Sequence, residues 1–234
     1  RSPAGSSEVV PMSAMRKSIA EHMLASRRTS AHVTTVFEVD LTRIVNMKNQ
    51  HAQEFLEREG GKLSYMPFFI KTVAGALKEF PVVNASISGT DIIYKKDVNI
   101  GVAVALDWGL IVPVVKNADE KCFLGIAKTA SSLAERARQK KLAPEDVQGG
   151  TFTITNPGVF GSLLGTPIIN QPQVAILCIG AIAKRPVVIN DAIAIRSMAY
   201  LTLTFDHRLI DGAVADHFMS SLKNKLEQWD EPLF

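Results

Sequence analysis

Between Ser13 and Arg28 the apolar residues Met15, Ile19, Met23 and Leu24 fall on one face, with Arg16, Lys17 and Arg27 elsewhere, which predicts an amphipathic helix. Val33 to Val39 is rich in β-branched residues and predicts a strand. Asp40 then has the chemistry of a helix N-cap, and Gly60-Gly61 marks the stop of a helix running to about Glu59. A third helix fits Tyr65 to Glu79 and ends before Pro81. Ile92 to Leu106 and Leu110 to Val115 read as two strands joined by a turn at Asp107-Trp108-Gly109. Gly125 to Lys141 reads as a helix with Ile126, Ala130, Leu133 and Ala137 inward. Strands follow at Thr151–Thr155, Val174–Gly180, Val187–Ile189 and Ile193–Phe205. The last alternates at Leu201, Leu203 and Phe205 as a half-buried strand does, and is long enough to reach beyond its own sheet. A helix over Ala213–Leu226 closes the chain. Strands interrupted by helices, without strict βα alternation, predict an α+β fold with a mixed sheet.

The 234 residues contain no internal repeat and no second linker, so one domain is expected over 11–234. The small polar stretch Arg1 to Glu8 reads as the end of a flexible linker, assigned to residues 1–10; without an initiator Met, the sequence reads as a fragment or a processed product. With 47% hydrophobic and 21% charged residues, the composition is that of a packed protein and excludes a disordered chain. A formal net charge of +3 is too weak a field for a nucleic-acid footprint. The longest apolar run, Val174 to Ala183, is far short of the ~20 residues a membrane span needs and reads as a buried strand. Neither nucleic acid nor membrane is therefore an expected partner. Two cysteines, Cys122 and Cys178, make no disulfide framework; they read as inert core thiols in a reducing compartment.

The densest polar cluster is Asp206-His207-Arg208-Leu209-Ile210-Asp211-Gly212, between the long strand and the last helix. A cluster at a strand-to-helix turn sits where sites are often built. An imidazole there can take and return a proton near neutral pH, and Gly212 would permit a tight exit into the helix. Each residue also has a plainer role: Asp206 or Asp211 as helix cap, Arg208 in a surface ion pair, His207 as one more polar turn residue. Thr151, Thr153 and Thr155 share one face of a strand that ends in Asn156-Pro157-Gly158; a hydroxyl there can stabilise an oxyanion, or simply face solvent. Gly158, Gly161 and Gly165 match no dinucleotide or phosphate fingerprint. His207, Asp211, Asp216 and His217 differ in helical phase and lack a completing Cys or Glu, so no metal is expected; His22, His32 and His51 read as helix or loop residues.

Asp206 to Gly212 matches DHRxxDG, and with PMSAMRKSIAEHM, GLIVPVVKNAD, GGTFTITNPGVFGS and TPIINQPQVAILCIG in order, the chain from about Val10 resembles the catalytic core of the dihydrolipoamide acyltransferase component of 2-oxo acid dehydrogenase complexes. The resemblance implies a two-layer sandwich like that of chloramphenicol acetyltransferase, with a mixed sheet and a homotrimeric unit, assembled further to a 24-mer or 60-mer. It implies coenzyme A and a lipoyl group as reactants, the latter on a domain not visible here. Partners would be a 2-oxo acid decarboxylase and dihydrolipoamide dehydrogenase, reached through domains not present, in a bacterial cytoplasm or mitochondrial matrix. It implies His207 as general base, Thr155 as oxyanion donor facing His207 of an adjacent subunit, Asp211 shaping the catalytic turn, and Arg16 as its partner in a buried pair, with Gly212 in support. Lys140 and Lys141 are candidates for a coenzyme A phosphate. FTITN and GVFGS resemble succinyl-transferring members; the lack of a histidine near Gly180 and the stretch NIGVAVALDWGLIVPVVK tilt the expectation towards acetyl, with branched-chain members also similar. Two other readings are a small-molecule O-acetyltransferase, whose HHxxxDG differs at Asp206, and a non-catalytic core scaffold, which would lack His207.

Overall fold

A computed structural model describes residues 7–107 and 109–234. The predicted linker therefore lies mostly outside the described residues, as does Trp108 of the predicted turn. Along the chain run α1 (Ala14–Thr29), β1 (His32–Asp40), α2 (Thr42–Glu59) and α3 (Met66–Glu79), then seven strands and helices: β2 (Ala85–Ser88), β3 (Asp91–Tyr94), β4 (Ile100–Val102), β5 (Val104–Leu106), β6 (Gly109–Ile111), β7 (Val114–Val115) and α4 (Phe123–Arg138). The last part holds β8 (Phe152–Thr155), β9 (Ala175–Ile179), β10 (Ala183–Ile189), β11 (Ala192–Asp206) and α5 (Gly212–Glu227).

The main sheet has the order β1-β11-β9-β8-β4-β7, with β10 on β11. The β8–β9 and β4–β8 pairs are parallel, and the other pairs of this sheet are antiparallel. It is the mixed sheet that the alternation of elements predicts. One sheet face carries Leu201, Leu203 and Phe205 of β11, Leu177 and Ile179 of β9, and Phe152 and Ile154 of β8. These join Phe68, Ile70 and Leu77 of α3 and Phe218 and Leu222 of α5 in the core. The stretch 201–206 of β11 is buried on both faces, not half-buried as its alternation suggests. The reverse face bears Thr202, Thr204 and Asp206 and is roofed by the 157–173 segment: Gln173 accepts a hydrogen bond from Thr153 (2.6 Å), and Gly165 closes on Cys178. Thr34 and Thr204 satisfy each other across β1 and β11 (3.0 Å).

The single predicted strand over Ile92–Leu106 is broken into β3, β4 and β5. Between β3 and β4 the chain bends at Lys95–Asp97, where the buried Asn84 amide donates to the carbonyls of Lys95 (3.3 Å) and Asp97 (3.0 Å). These side-chain bonds take up backbone acceptors that a ladder would use. Leu110–Val115 divides likewise at Val112-Pro113, since Pro113 has no N–H to give. β5 and β6 leave the main sheet as a separate hairpin.

Asp40 ends β1; its Oδ1 accepts from Thr42 N–H (2.8 Å), although Leu41 is the residue at the cap position of α2. Gly60, at φ +68°, stops that helix in the left-handed conformation its sequence predicts. Of the stripe that predicts α1, Met15 and Leu24 are exposed and Ile19 and Met23 are half-buried, and Ser26 is the helix's one fully buried residue. Cys122, expected in the core, is exposed just before α4, whereas Cys178 is buried and its thiol is pushed up to about 11 by burial.

Candidate active site

The polar turn after β11 is fixed by its own backbone. Leu209 and Ile210 N–H both donate to Asp206 O (3.0 Å each), and His207 N–H donates to Ala31 O (2.8 Å). Ile210 is fully buried and anchors the turn in the core. Asp211 caps α5, its Oδ1 accepting from Val214 N–H (2.9 Å), so the cap role belongs to Asp211 and not to Asp206. Between these anchors the His207 side chain stands exposed, its ring 5.8 Å from that of Phe205.

Asp206 is 1% exposed and faces the α1–β1 junction. Arg208, expected in a weak surface pair, makes a bidentate one with it: Nε to Oδ1 (3.0 Å) and Nη2 to Oδ2 (2.7 Å). Burial would raise the Asp206 carboxyl, but Arg208, the Ser30 hydroxyl and the N–H groups of Arg208 and Ala31 hold it below its ordinary value.

The expected buried pair of Arg16 with Asp211 is not formed within the chain. Both residues are exposed, and the Asp211 carboxylate is engaged at the helix cap instead. Gly212 is not needed for a tight exit either. Its backbone is not left-handed, and a Cβ there would meet nothing within 4 Å, because the extended Asp211 (φ −83°, ψ 168°) makes the turn.

Thr155 ends β8 at the wall of a cavity of about 1010 Å³. Apolar walls come from Phe55, Leu63, Val102, Val104, Val159 and Phe160, and cations from Lys48, Lys62, Lys128 and Arg138. Lys128 pairs with Glu59 (2.6 Å), and Lys48 lies 5.2 Å over the Tyr65 ring. Burial pushes the Tyr65 phenol up. Lys140 and Lys141 are exposed just past α4 and do not line this cavity. The four lining cations carry no local sequence signal, since they come from α2, the loop after it, and two positions of α4. Thr151 and Thr153, which share Thr155's predicted face, are structural rather than solvent-facing: Thr151 bonds to Asn99 and Thr153 to Gln173.

His207 and Thr155 do not meet within one chain. Thr155 is level with Cys178, and Cys178 with Thr202, so His207 lies five residues further along β11 and two strands across. At roughly 3.4 Å per residue and 4.8 Å per strand, they are on the order of 20 Å apart, at opposite ends of the sheet. β10 and β11 run on past the last β1 pair, Asp40↔Met198, as a two-stranded ribbon that closes at Asn190-Asp191, both left-handed. Val188, Ile193 and Ile195 are 72%, 83% and 70% exposed on it, and Val188 pairs with Ile193 on one face.

Residues 4–234 match the family model of 2-oxoacid dehydrogenases acyltransferase (catalytic domain). The chain is similar to the lipoamide acyltransferase component of the branched-chain alpha-keto acid dehydrogenase complex of Bacillus subtilis (strain 168), with 48% identity over 98% of this chain and 54% of that protein. It is equally similar, at 48% over 94% of this chain and 54% of the other, to the dihydrolipoyllysine-residue succinyltransferase component of the 2-oxoglutarate dehydrogenase complex of Bartonella vinsonii subsp. berkhoffii. The chain thus spans about half the length of the curated relatives it matches. A probable dihydrolipoamide acetyltransferase from Listeria monocytogenes 4b F2365 superposes with TM-score 0.95 at 44% identity, over 98% of this chain and 99% of that one. The cubic core of a pyruvate dehydrogenase multienzyme complex does so with TM-score 0.92 at 37% identity, over 96% and 93%. A chloramphenicol acetyltransferase, at 14% identity and TM-score 0.52 over 88% and 92%, shares the fold.

Proposed function

The chain belongs to the acyltransferase catalytic-domain family of the 2-oxoacid dehydrogenases, and on that premise we propose that it moves an acyl group between the thiols of dihydrolipoamide and coenzyme A, at a site completed by a second copy of the chain. One observation carries the reading: an exposed imidazole on a fixed turn and a hydroxyl at a cavity wall stand at opposite ends of one sheet. Each copy has half of a site, and a neighbour set against it supplies the other half.

A thiol with pKa ~8.5 is mostly protonated at neutral pH, and its thiolate is the nucleophile. His207 takes the S–H proton as the sulfur attacks the thioester carbonyl. The C–S bond forms, the carbonyl electron pair moves onto oxygen, and Thr155 Oγ–H donates to that oxyanion. Collapse breaks the other C–S bond, and the departing sulfur takes the proton back from His207. Positioned proton transfer of this kind contributes roughly 10²–10⁴-fold. Coenzyme A is a substrate here. The cavity of about 1010 Å³, lined by Thr155, by apolar side chains and by Lys48, Lys62, Lys128 and Arg138, fits a ligand with a pantetheine-like arm and anionic phosphates. We therefore move the phosphate-binding role from Lys140 and Lys141 to these four residues.

Acetyl is the acyl group we assign first. Gly158 packs backbone to backbone on Gly180, beside the cavity wall, and the following Ala181 and Ile182 offer no charge for a second carboxylate. The apolar ribbon of β10 and β11 supports assembly into trimers and larger cores, with the decarboxylase and the dihydrolipoamide dehydrogenase engaged through parts of the protein outside this chain. A cytoplasm or mitochondrial matrix, both reducing, suits its reactant thiols.

The test is transfer from acetyl-, isobutyryl- and succinyl-coenzyme A to dihydrolipoamide, with chloramphenicol as the competing acceptor. Acetyl transfer to dihydrolipoamide is expected, reduced at least ~100-fold in His207→Ala with assembly size unchanged. Transfer to chloramphenicol alone, or a His207→Ala variant at near-normal rate, overturns the reading.

A further inference from the structure

The TPIINQPQ segment and the first residue of DHRxxDG have no part in the chemistry above, yet they meet in a densely bonded polar cluster. Ala31 N–H (3.1 Å) and Arg208 N–H (3.1 Å) donate to Asp206 Oδ1, and the Arg208 guanidinium spans both oxygens. The Ser30 hydroxyl adds a further bond. Ser30 Oγ in turn accepts from Gln171 Nε2 (2.7 Å). Ser26 Oγ donates to Ile169 O (2.6 Å), and Ile169 N–H donates to His32 Nε2 (3.2 Å). Three segments distant in sequence are thus linked: the end of α1 and the turn after β11 meet at one carboxylate, and the 169–173 loop joins them through Ser30, Ser26 and His32.

We propose that Asp206 is a positioning residue for His207, fastening the turn that presents the imidazole to the α1–β1 junction. This rests on the reading of His207 as the base. Within its own chain the His207 side chain is exposed, with its ring 5.8 Å from that of Phe205, so its aim depends strongly on its backbone. That backbone is bracketed by Asp206 and Arg208, which are locked to each other, and is held by its own N–H on Ala31 O (2.8 Å). An ionised carboxylate is acceptor-only, and both its oxygens are taken up by these donors, three of which share Oδ1. Alanine in its place leaves Ala31 N–H and the guanidinium without their acceptor and removes the side-chain tie between the turn and the α1–β1 junction, while the backbone bonds of the turn remain. A displacement of about 1 Å in a reacting group costs on the order of 10²-fold in rate.

The experiment compares Asp206→Ala, Asp206→Asn and His207→Ala in the assembled protein, reading kcat, KM for each thiol substrate, and sedimentation. Asp206→Ala is expected to lower kcat about 100-fold with both KM values within about twofold and assembly unchanged. Asp206→Asn still offers one oxygen to the Ala31 and Arg208 amides and is expected to recover about tenfold of that loss. An assembled Asp206→Ala protein with kcat within about threefold of the parent, or with its whole loss in KM, overturns the proposal. Should the alanine variant fail to assemble, the asparagine variant decides: assembled at full kcat, it overturns the proposal, and assembled with kcat reduced at unchanged KM, it supports it. The His207→Ala arm separates the two readings. If it stays active, the base assignment fails; if it is dead while both Asp206 variants are normal, only the positioning role fails.

Discussion

Asp206 and His207 are neighbours in sequence with opposite surroundings, one sealed and ion-paired, the other open to solvent. The pairing makes a pH statement. Asp206 has its carboxyl depressed in the folded chain, so the stability it contributes is present above the ordinary carboxylate pKa of ~3.9 and is lost as pH falls through the lower folded value. Between those two values the parent protein should lose stability more steeply with falling pH than Asp206→Asn, which has no proton to gain; acid titration of unfolding free energy for the two proteins checks this. At this scale the sequence is readable for place: His207 stands exposed on the turn between the long strand and the last helix, where its position in the chain predicts. It is silent where a cavity is lined by charges scattered along the chain. Lys62 and Arg138 look like any solvated cation until the fold brings them to one cavity.

Among the elements, every predicted helix is found within a few residues of its expected ends, because apolar period and caps act locally. Strand limits were less legible. The break between β3 and β4 depends on Asn84, which lies in a different segment, and no pattern within 92–106 reports it. The long strand β11 did announce itself, and its far end has a use. Its hairpin with β10 presents Val188, Ile193 and Ile195 to solvent, more apolar surface than a free ribbon has reason to expose. Ile193→Glu combined with Ile195→Glu should leave the chain folded, by circular dichroism, while shifting sedimentation to smaller species and abolishing transfer activity. A double variant that assembles normally would show that this ribbon is not the grip. Gly212 belongs here too, for the chain itself sets no limit on a side chain at that position.

For the molecule as a whole, the separation of His207 from Thr155 by two strands and five residues of register makes complementation the decisive measurement. His207→Ala and Thr155→Ala homomers should each be nearly inactive. Co-assembled at equal ratio, they should regain about a quarter of parental activity, since a random quarter of contacts joins an intact imidazole to an intact hydroxyl. No recovery in verified mixed assemblies would place both groups of a working site on one chain, contrary to the register of β8, β9 and β11. Placing donor and acceptor halves at opposite ends of a sheet also changes how faults are inherited by an assembly. A copy lacking only its histidine spoils the contact on one side and still serves the contact on the other. A copy lacking both groups silences the contact on each side, so mixed equally with intact copies it leaves about a quarter of the contacts working, against about half for a copy lacking one group.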